Sequence, residues 1–86
     1  MPSMHHVYIV RCADGTLYTG YAKDLQHRVE LHNAGRGAKY TAGRRPVRLV
    51  YSERLASLSA ALKRERQVKG WTRRTKEALV QRRFLC

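Results

Sequence analysis

The sequence predicts an α+β fold: a small three-stranded antiparallel sheet flanked by three helices, in the order β-β-α-β-α-α. Three observations point to it. Two runs rich in β-branched and aromatic residues, Val7 to Arg11 and Thr16 to Tyr21, flank Asp14-Gly15, where glycine accepts the positive φ of a hairpin turn. A third alternating run, Val47 to Glu53, begins just after Pro46, at a strand start where a missing donor is tolerated. Between and after these runs lie three stretches with helix start and stop signals. With 86 residues there is room for one core, so residues 1–86 read as a single domain.

The first hairpin is unusual for its tyrosines. Tyr8, Tyr18 and Tyr21 are three of the five in the chain, and a buried phenol needs a hydrogen-bond partner. Tyrosine is also simply a good strand residue. The turn decides what these side chains can do together. A two-residue Asp14-Gly15 loop sets Tyr8 opposite Tyr21 and puts Tyr18 on the other face. A three-residue Ala13-Asp14-Gly15 loop with Gly15 as a bulge shifts the register by one. Tyr8 then faces Gly20, with Tyr18 as its diagonal neighbour on the same face.

Asp24 caps a first helix running to about Asn33, stopped by Gly35 and Gly37. Its inward stripe is Leu25, Val29 and His32, and Arg28 falls on or beside it; an Asp24–Arg28 surface pair one turn apart is the plainer explanation of that arginine. Gly35 to Pro46 reads as a Gly-punctuated basic loop. From Arg36 to Arg48 it carries five basic residues, no acidic one and a single aromatic, Tyr40. Point charges beside a stackable ring suit a grip on phosphates and bases. Ser57 or Ser59 opens a second helix that Gly70 ends, with Leu58, Ala61, Leu62 and Glu65 on its inward stripe. A carboxylate there calls for a cation, either a metal or Lys69 one turn on. Trp71 covers the core edge. Thr72 caps a basic third helix to about Phe84 that carries Arg73, Arg74, Lys76, Arg82 and Arg83.

Eighteen Lys and Arg against six Asp and Glu give a net charge of +12, which points to a polyanion, nucleic acid first. A membrane partner is not expected: no strongly apolar helix face opposes the charge, and the apolar run Val7 to Val10 is too short to span a bilayer. Cys12 and Cys86 form neither a metal spacing nor a disulfide framework, so the chain reads as cytoplasmic and reduced, with Cys12 as a small core residue. Met1 to His5 reads as a frayed leader, and His5-His6 is too short for a metal tract.

Tyr8, Tyr18 and Arg28 stand ten residues apart each time, and Glu65 follows Arg28 by thirty-seven. In these residues the chain resembles the GIY-YIG nuclease superfamily, most of all its small single-domain bacterial members. His6-Val7-Tyr8 stands at the first signature triplet and Tyr18-Thr19-Gly20 at the second. Arg28 matches the arginine of the first helix, Glu65 the metal-holding glutamate of a later one, and His32 a position where some members carry a histidine near the tyrosine. The first triplet's glycine is His6 here and the second's isoleucine Thr19. A lysine common after the second triplet is Tyr21, with Lys23 close by. The supporting asparagine of the last helix is missing near Glu77, and the chain's one asparagine is Asn33.

The resemblance implies a metal-dependent endonuclease that hydrolyses phosphodiester bonds in nucleic acid, DNA ahead of RNA, with a structure-specific role in repair or recombination in view. Glu65 would hold Mg²⁺ or Mn²⁺, Tyr8 would orient or deprotonate water, Tyr18 would help hold water or phosphate, and Arg28 would neutralise phosphoryl charge. Lys23, Arg36, Lys39, Tyr40, Arg44 and Arg45 are the candidate nucleic-acid contacts. The alternative is a non-catalytic, basic nucleic-acid-binding module. Substrate structure and oligomeric state stay open.

Overall fold

A computed structural model describes residues 5–85, and side chains as far as Arg82. The strands are β1 (His5–Arg11), β2 (Leu17–Ala22) and β3 (Arg48–Leu55), and the helices α1 (Leu25–Asn33), α2 (Lys39–Ala42), α3 (Leu58–Lys69) and α4 (Arg73–Leu85). The expected α+β order is present, with one addition: α2, a single turn inside the basic loop. The sheet is antiparallel with β1 in the centre, ordered β2-β1-β3.

The hairpin takes the three-residue form. Cys12 N–H donates to Thr16 O at 2.8 Å, Gly15 adopts φ 86°, and Arg11 faces Leu17. Asp14 completes the turn by accepting from the Thr16 amide and hydroxyl. This register sets Tyr8 opposite Gly20 and Val10 opposite Tyr18. Against β3, a bulge between Ile9 and Val10 leaves Val50 as the extra residue.

The two sheet faces are packed separately. Tyr8, Val10, Cys12, Ala22 and Val47 form one buried cluster, closed by Tyr18, Leu25, Val29 and Leu49. Ile9, Leu17, Val50, Val68, Leu79 and Val80 form the other, and Trp71 covers its edge. Helix α3 packs on β1 and β2, and α4 on β3. Asp24 caps α1 through a hydrogen bond from His27 N–H, a contact generally worth about 1 kcal/mol. The helix ends in a Schellman arrangement: Arg36 N–H reaches Leu31 O, Gly35 N–H reaches His32 O, and Gly35 supplies φ 82°. Ser57 caps α3, and Thr72 does the same for α4.

Two sequence expectations change, for His5 and for the inward face of α3. His5 is the first residue of β1, buried, with its Nδ1 2.8 Å from the Tyr21 hydroxyl, and so is not part of a frayed leader; Met1 to Met4, the rest of that expected segment, and Cys86 lie outside the described residues. Cys12 sits just past the end of β1, still in the core. Leu58 and Leu62 face outward at 47% and 41% exposure, whereas Ala61 and Val68 are the buried residues of α3.

Candidate active site

The hairpin register brings Tyr8 and Tyr18 to one face. Tyr8 leans across the neighbouring strand at Gly20, where a Cβ would lie 2.6 Å from its Cζ. Any side chain at position 20 would displace the phenol. Helix α1 crosses the same face and inserts His32, fully buried, between the two rings. Its ring centroid is 5.8 Å from that of Tyr8 and 5.3 Å from that of Tyr18, both edge-on. Tyr8 Oη lies 2.7 Å from His32 Nε2, and the other ring nitrogen, Nδ1, lies 2.7 Å from Thr41 Oγ1. Thr41, also fully buried, comes from α2 and donates to Ala38 O. The backbone at Gly37 presses on the imidazole from the same loop, close enough that a Cβ would come within 2.6 Å of Cγ.

Arg28 and Glu65 act on this centre electrostatically. Burial pushes the Tyr8 phenol well above its ordinary value. Tyr18 and Glu65 push the same way, and Arg28 opposes them. Burial, with Arg28, holds His32 below its ordinary value, so the imidazole is neutral at pH 7. Arg28 is half-buried on α1. The Asp24–Arg28 surface pair, the plainer alternative for this arginine, does not form: Asp24 caps the helix, and among the described residues Arg28 has no carboxylate within ion-pair distance.

Glu65 lies on the buried row of α3 with Ala61 and Val68, its side chain 21% exposed. Lys69 is 3.5 Å away, the i, i+4 pair that the sequence allowed. Glu77 turns elsewhere: Arg11 holds it with two hydrogen bonds of 2.9 and 2.6 Å, and Arg73 lies 3.6 Å away.

The expected nucleic-acid contacts divide into two groups. Lys23, Arg36 and Lys39 are exposed without ion pairs among the described residues. Lys23 lines a cleft of about 340 Å³ with Tyr21, Ala22, Asp24, His27 and Arg28. Arg44 and Arg45 instead brace the loop. Arg44 bonds Asp14 and Tyr40 O, and Arg45 bonds Ala42 O and Asn33 O. The loop is closed by Asn33, whose amide exchanges two hydrogen bonds with the Val47 backbone. Tyr40 stacks on Tyr18 at 5.9 Å, with Arg44 over its outer face and Lys69 5.5 Å from the Tyr18 ring. Sequence reasoning missed Thr41 and Lys69 as parts of this arrangement. A threonine in a loop carries no spacing signal, whereas Lys69 was visible only as a partner for Glu65.

A family model described as the GIY-YIG catalytic domain matches residues 4–78, nearly the whole chain. The chain belongs to the GIY-YIG catalytic-domain family. The match spans both triplets, His6-Val7-Tyr8 and Tyr18-Thr19-Gly20, together with Arg28, His32 and Glu65. Among relatives of this GIY-YIG domain, UPF0213 proteins of Staphylococcus aureus strains N315 and Mu50 are each 60% identical to it over 79 residues, covering 92% of this chain and 96% of theirs. It is also similar to two solution NMR structures. One is a UPF0213 protein from Bacillus halodurans, 47% identical with a TM-score of 0.59, over 91% of this chain and 83% of that one. The other is a protein from E. faecalis, 39% identical with a TM-score of 0.65, over 96% and 88% of the respective chains.

Proposed function

We propose that this GIY-YIG domain, residues 1–86 as one unit, is a divalent-metal-dependent endonuclease acting on DNA. The observation that carries the reading is the buried Tyr8–His32 pair, with the charges of Arg28 and Glu65 acting on it from two helices. A phosphodiester docks with its oxygens against Arg28, which neutralises the charge that grows on them. The attacking water loses its proton to the Tyr8 oxygen as Tyr8 passes its own to His32 Nε2, so the phenol never has to carry a full charge in its buried setting. A phenol with a raised pKa keeps its proton at pH 7, and the neutral imidazole 2.7 Å away is the acceptor that lets it pass that proton on. Tyr18 holds the water or a phosphoryl oxygen at the edge of the same face.

Glu65 suits a hard cation. Among the described residues its oxygens accept no hydrogen bond, and its cation partner is the half-exposed Lys69 at 3.5 Å. One carboxylate plus substrate oxygens fits Mg²⁺ or Mn²⁺, ions that keep several waters. Among the described residues no three His, Cys, Asp or Glu side chains cluster, so Glu65 would hold the ion with at most one other such side chain. When bound, such an ion stabilises charge on the leaving 3′-oxygen.

Lys23, Arg36, Lys39, Arg44 and Arg45 guide the strand to this centre, with the edge of the Tyr40 ring, held between Tyr18 and Arg44, beside it. Branched DNA of repair or recombination is the substrate class we favour, in the cytoplasm. The test is incubation of the protein with labelled branched, duplex and single-stranded DNA and RNA, with Mg²⁺ or Mn²⁺ and with chelator. Metal-dependent cleavage of DNA supports the reading; binding without cleavage on every substrate sinks it. That outcome would favour the second reading, a non-catalytic binding module, for which the Lys69–Tyr18–Tyr40–Arg44 stack offers a basic, aromatic surface needing no metal.

A further inference from the structure

We propose that Thr41 is a positioning residue for the reaction: its buried hydroxyl fixes His32 in the Nδ1–H tautomer and so keeps Nε2 free to take the Tyr8 proton. This rests on the reading of Tyr8 and His32 as the pair that moves the proton. Among the described residues, only one arrangement gives every proton of this buried chain a protein acceptor; in the reverse one the Tyr8 hydroxyl proton has none. Ala38 O, which also accepts from Ala42 N–H, lies 3.2 Å from Thr41 Oγ1 and can take the hydroxyl proton as well. The Oγ1 lone pairs then face His32 Nδ1 at 2.7 Å, and Nδ1 must be the protonated nitrogen. Nε2 is left with its lone pair aimed at Tyr8 Oη, 2.7 Å away, and the phenol donates.

Burial makes this order hard to reverse. His32 and Thr41 have no exposed surface, so water cannot replace either partner of the Thr41–His32 bond. Flipping the imidazole is opposed by Gly37, whose backbone lies against the ring. The opposite tautomer would put the Nδ1 lone pair against Thr41 Oγ1 and pull the hydroxyl proton off Ala38 O. Nε2–H would then point at Tyr8, leaving that phenol no base.

Thr41 belongs to α2, between Tyr40 and the Arg44-Arg45 pair. The segment offered to the nucleic acid therefore also sets the protonation pattern of the buried pair. This link explains why a basic loop contains a helical turn: one turn carries the Thr41 hydroxyl inward while Tyr40 stays outside against Tyr18.

The experiment is ¹⁵N NMR of the His32 ring, recorded without substrate, on wild type, Thr41→Ser and Thr41→Val, together with the pH profile of DNA cleavage. The other groups facing His32 are Tyr8 and Tyr18 from the sheet and Arg28 on its own helix. Wild type and Thr41→Ser should show the Nδ1–H pattern. Thr41→Val should lose it and move the acid limb of the profile, with cleavage lower by about tenfold to a hundredfold, the range found for groups that orient metal-ligating histidines. An Nε2–H pattern in wild type overturns the proposal, and that measurement needs no variant to fold. So does a Thr41→Val protein with the wild-type tautomer and wild-type cleavage. If wild type cleaves nothing yet its tautomer responds to Thr41→Val, the nuclease reading fails while the tautomer assignment is supported.

Discussion

Tyr8 Oη and His32 Nε2 lie 2.7 Å apart in the interior, joining the central strand to the end of the first helix across a glycine on the neighbouring strand. That bond satisfies a buried phenol and a buried imidazole at once. On the proposed reading it is also the route by which the Tyr8 proton leaves.

Removing the bond should cost both stability and activity. In Tyr8→Phe the ring still fills its space, but His32 Nε2 loses its buried partner, worth about 1–3 kcal/mol. Cleavage should fall by at least about a hundredfold, the lower end for losing a positioned acid–base group. Thermal melting and a cleavage time course on the same preparation check both. Unchanged cleavage would remove Tyr8 from the chemistry.

Gly20→Ala tests the packing of the phenol. The new methyl would meet the Tyr8 ring at 2.6 Å from Cζ, so the ring or the strand must shift. Overpacking of this kind generally costs about 1–3 kcal/mol. The melting temperature should drop, and the Tyr8 to His32 cross-peaks in NMR should weaken. A protein as stable as wild type, with those cross-peaks intact, would show that the close approach is absent in solution.

Acid should weaken the protein through His32. Its folded value lies below the ordinary one of about 6.5, so on acidification the unfolded chain takes up a proton first. The stability from keeping His32 neutral is therefore complete above about pH 6.5 and is lost as pH falls from there through the folded value. Cleavage should show an acid limb in the same window, because a protonated imidazole cannot accept from Tyr8. Denaturant melts from pH 5 to 8, on wild type beside His32→Gln, give the measurement. A His32→Gln protein with the same acid dependence would assign it to other groups.

Much of this was legible in the sequence, for reasons that differ by element. Gly15 marked the hairpin turn, and the resemblance carried by Tyr8, Tyr18, Arg28 and Glu65 named the candidate site residues. Asp24 and Ser57 marked two helix starts because a side-chain acceptor there has a local purpose. The inward face of α3 was misread. Leu58 and Leu62 lie one row away from Ala61 and Val68, and hydrophobic spacing alone does not say which row the sheet will accept. Nor was α2 legible: a four-residue turn has no periodicity, and Thr41 acquires its role only when the loop folds over His32.

Nucleic-acid binding should be carried by phosphates and fall steeply with salt, as suits a net charge of +12. Arg44→Gln with Arg45→Gln should weaken binding similarly on unrelated sequences and lower the slope of log K against log salt by about one unit per lost phosphate contact. Both arginines brace the loop, so melting curves must accompany the gel shifts. A loss confined to one sequence would contradict a backbone grip.

The most direct measurement is cleavage and gel shift by Glu65→Gln beside wild type, on one labelled substrate, with and without Mn²⁺. Glu65 occupies the buried row of α3, and glutamine keeps its size while removing the charge that holds a divalent cation. Cleavage should drop by at least about a hundredfold. Binding should persist, since taking one negative charge from a protein of +12 slightly favours a polyanion. Equal cleavage by both proteins, or cleavage that continues in chelator, would contradict a metal-dependent centre at Glu65.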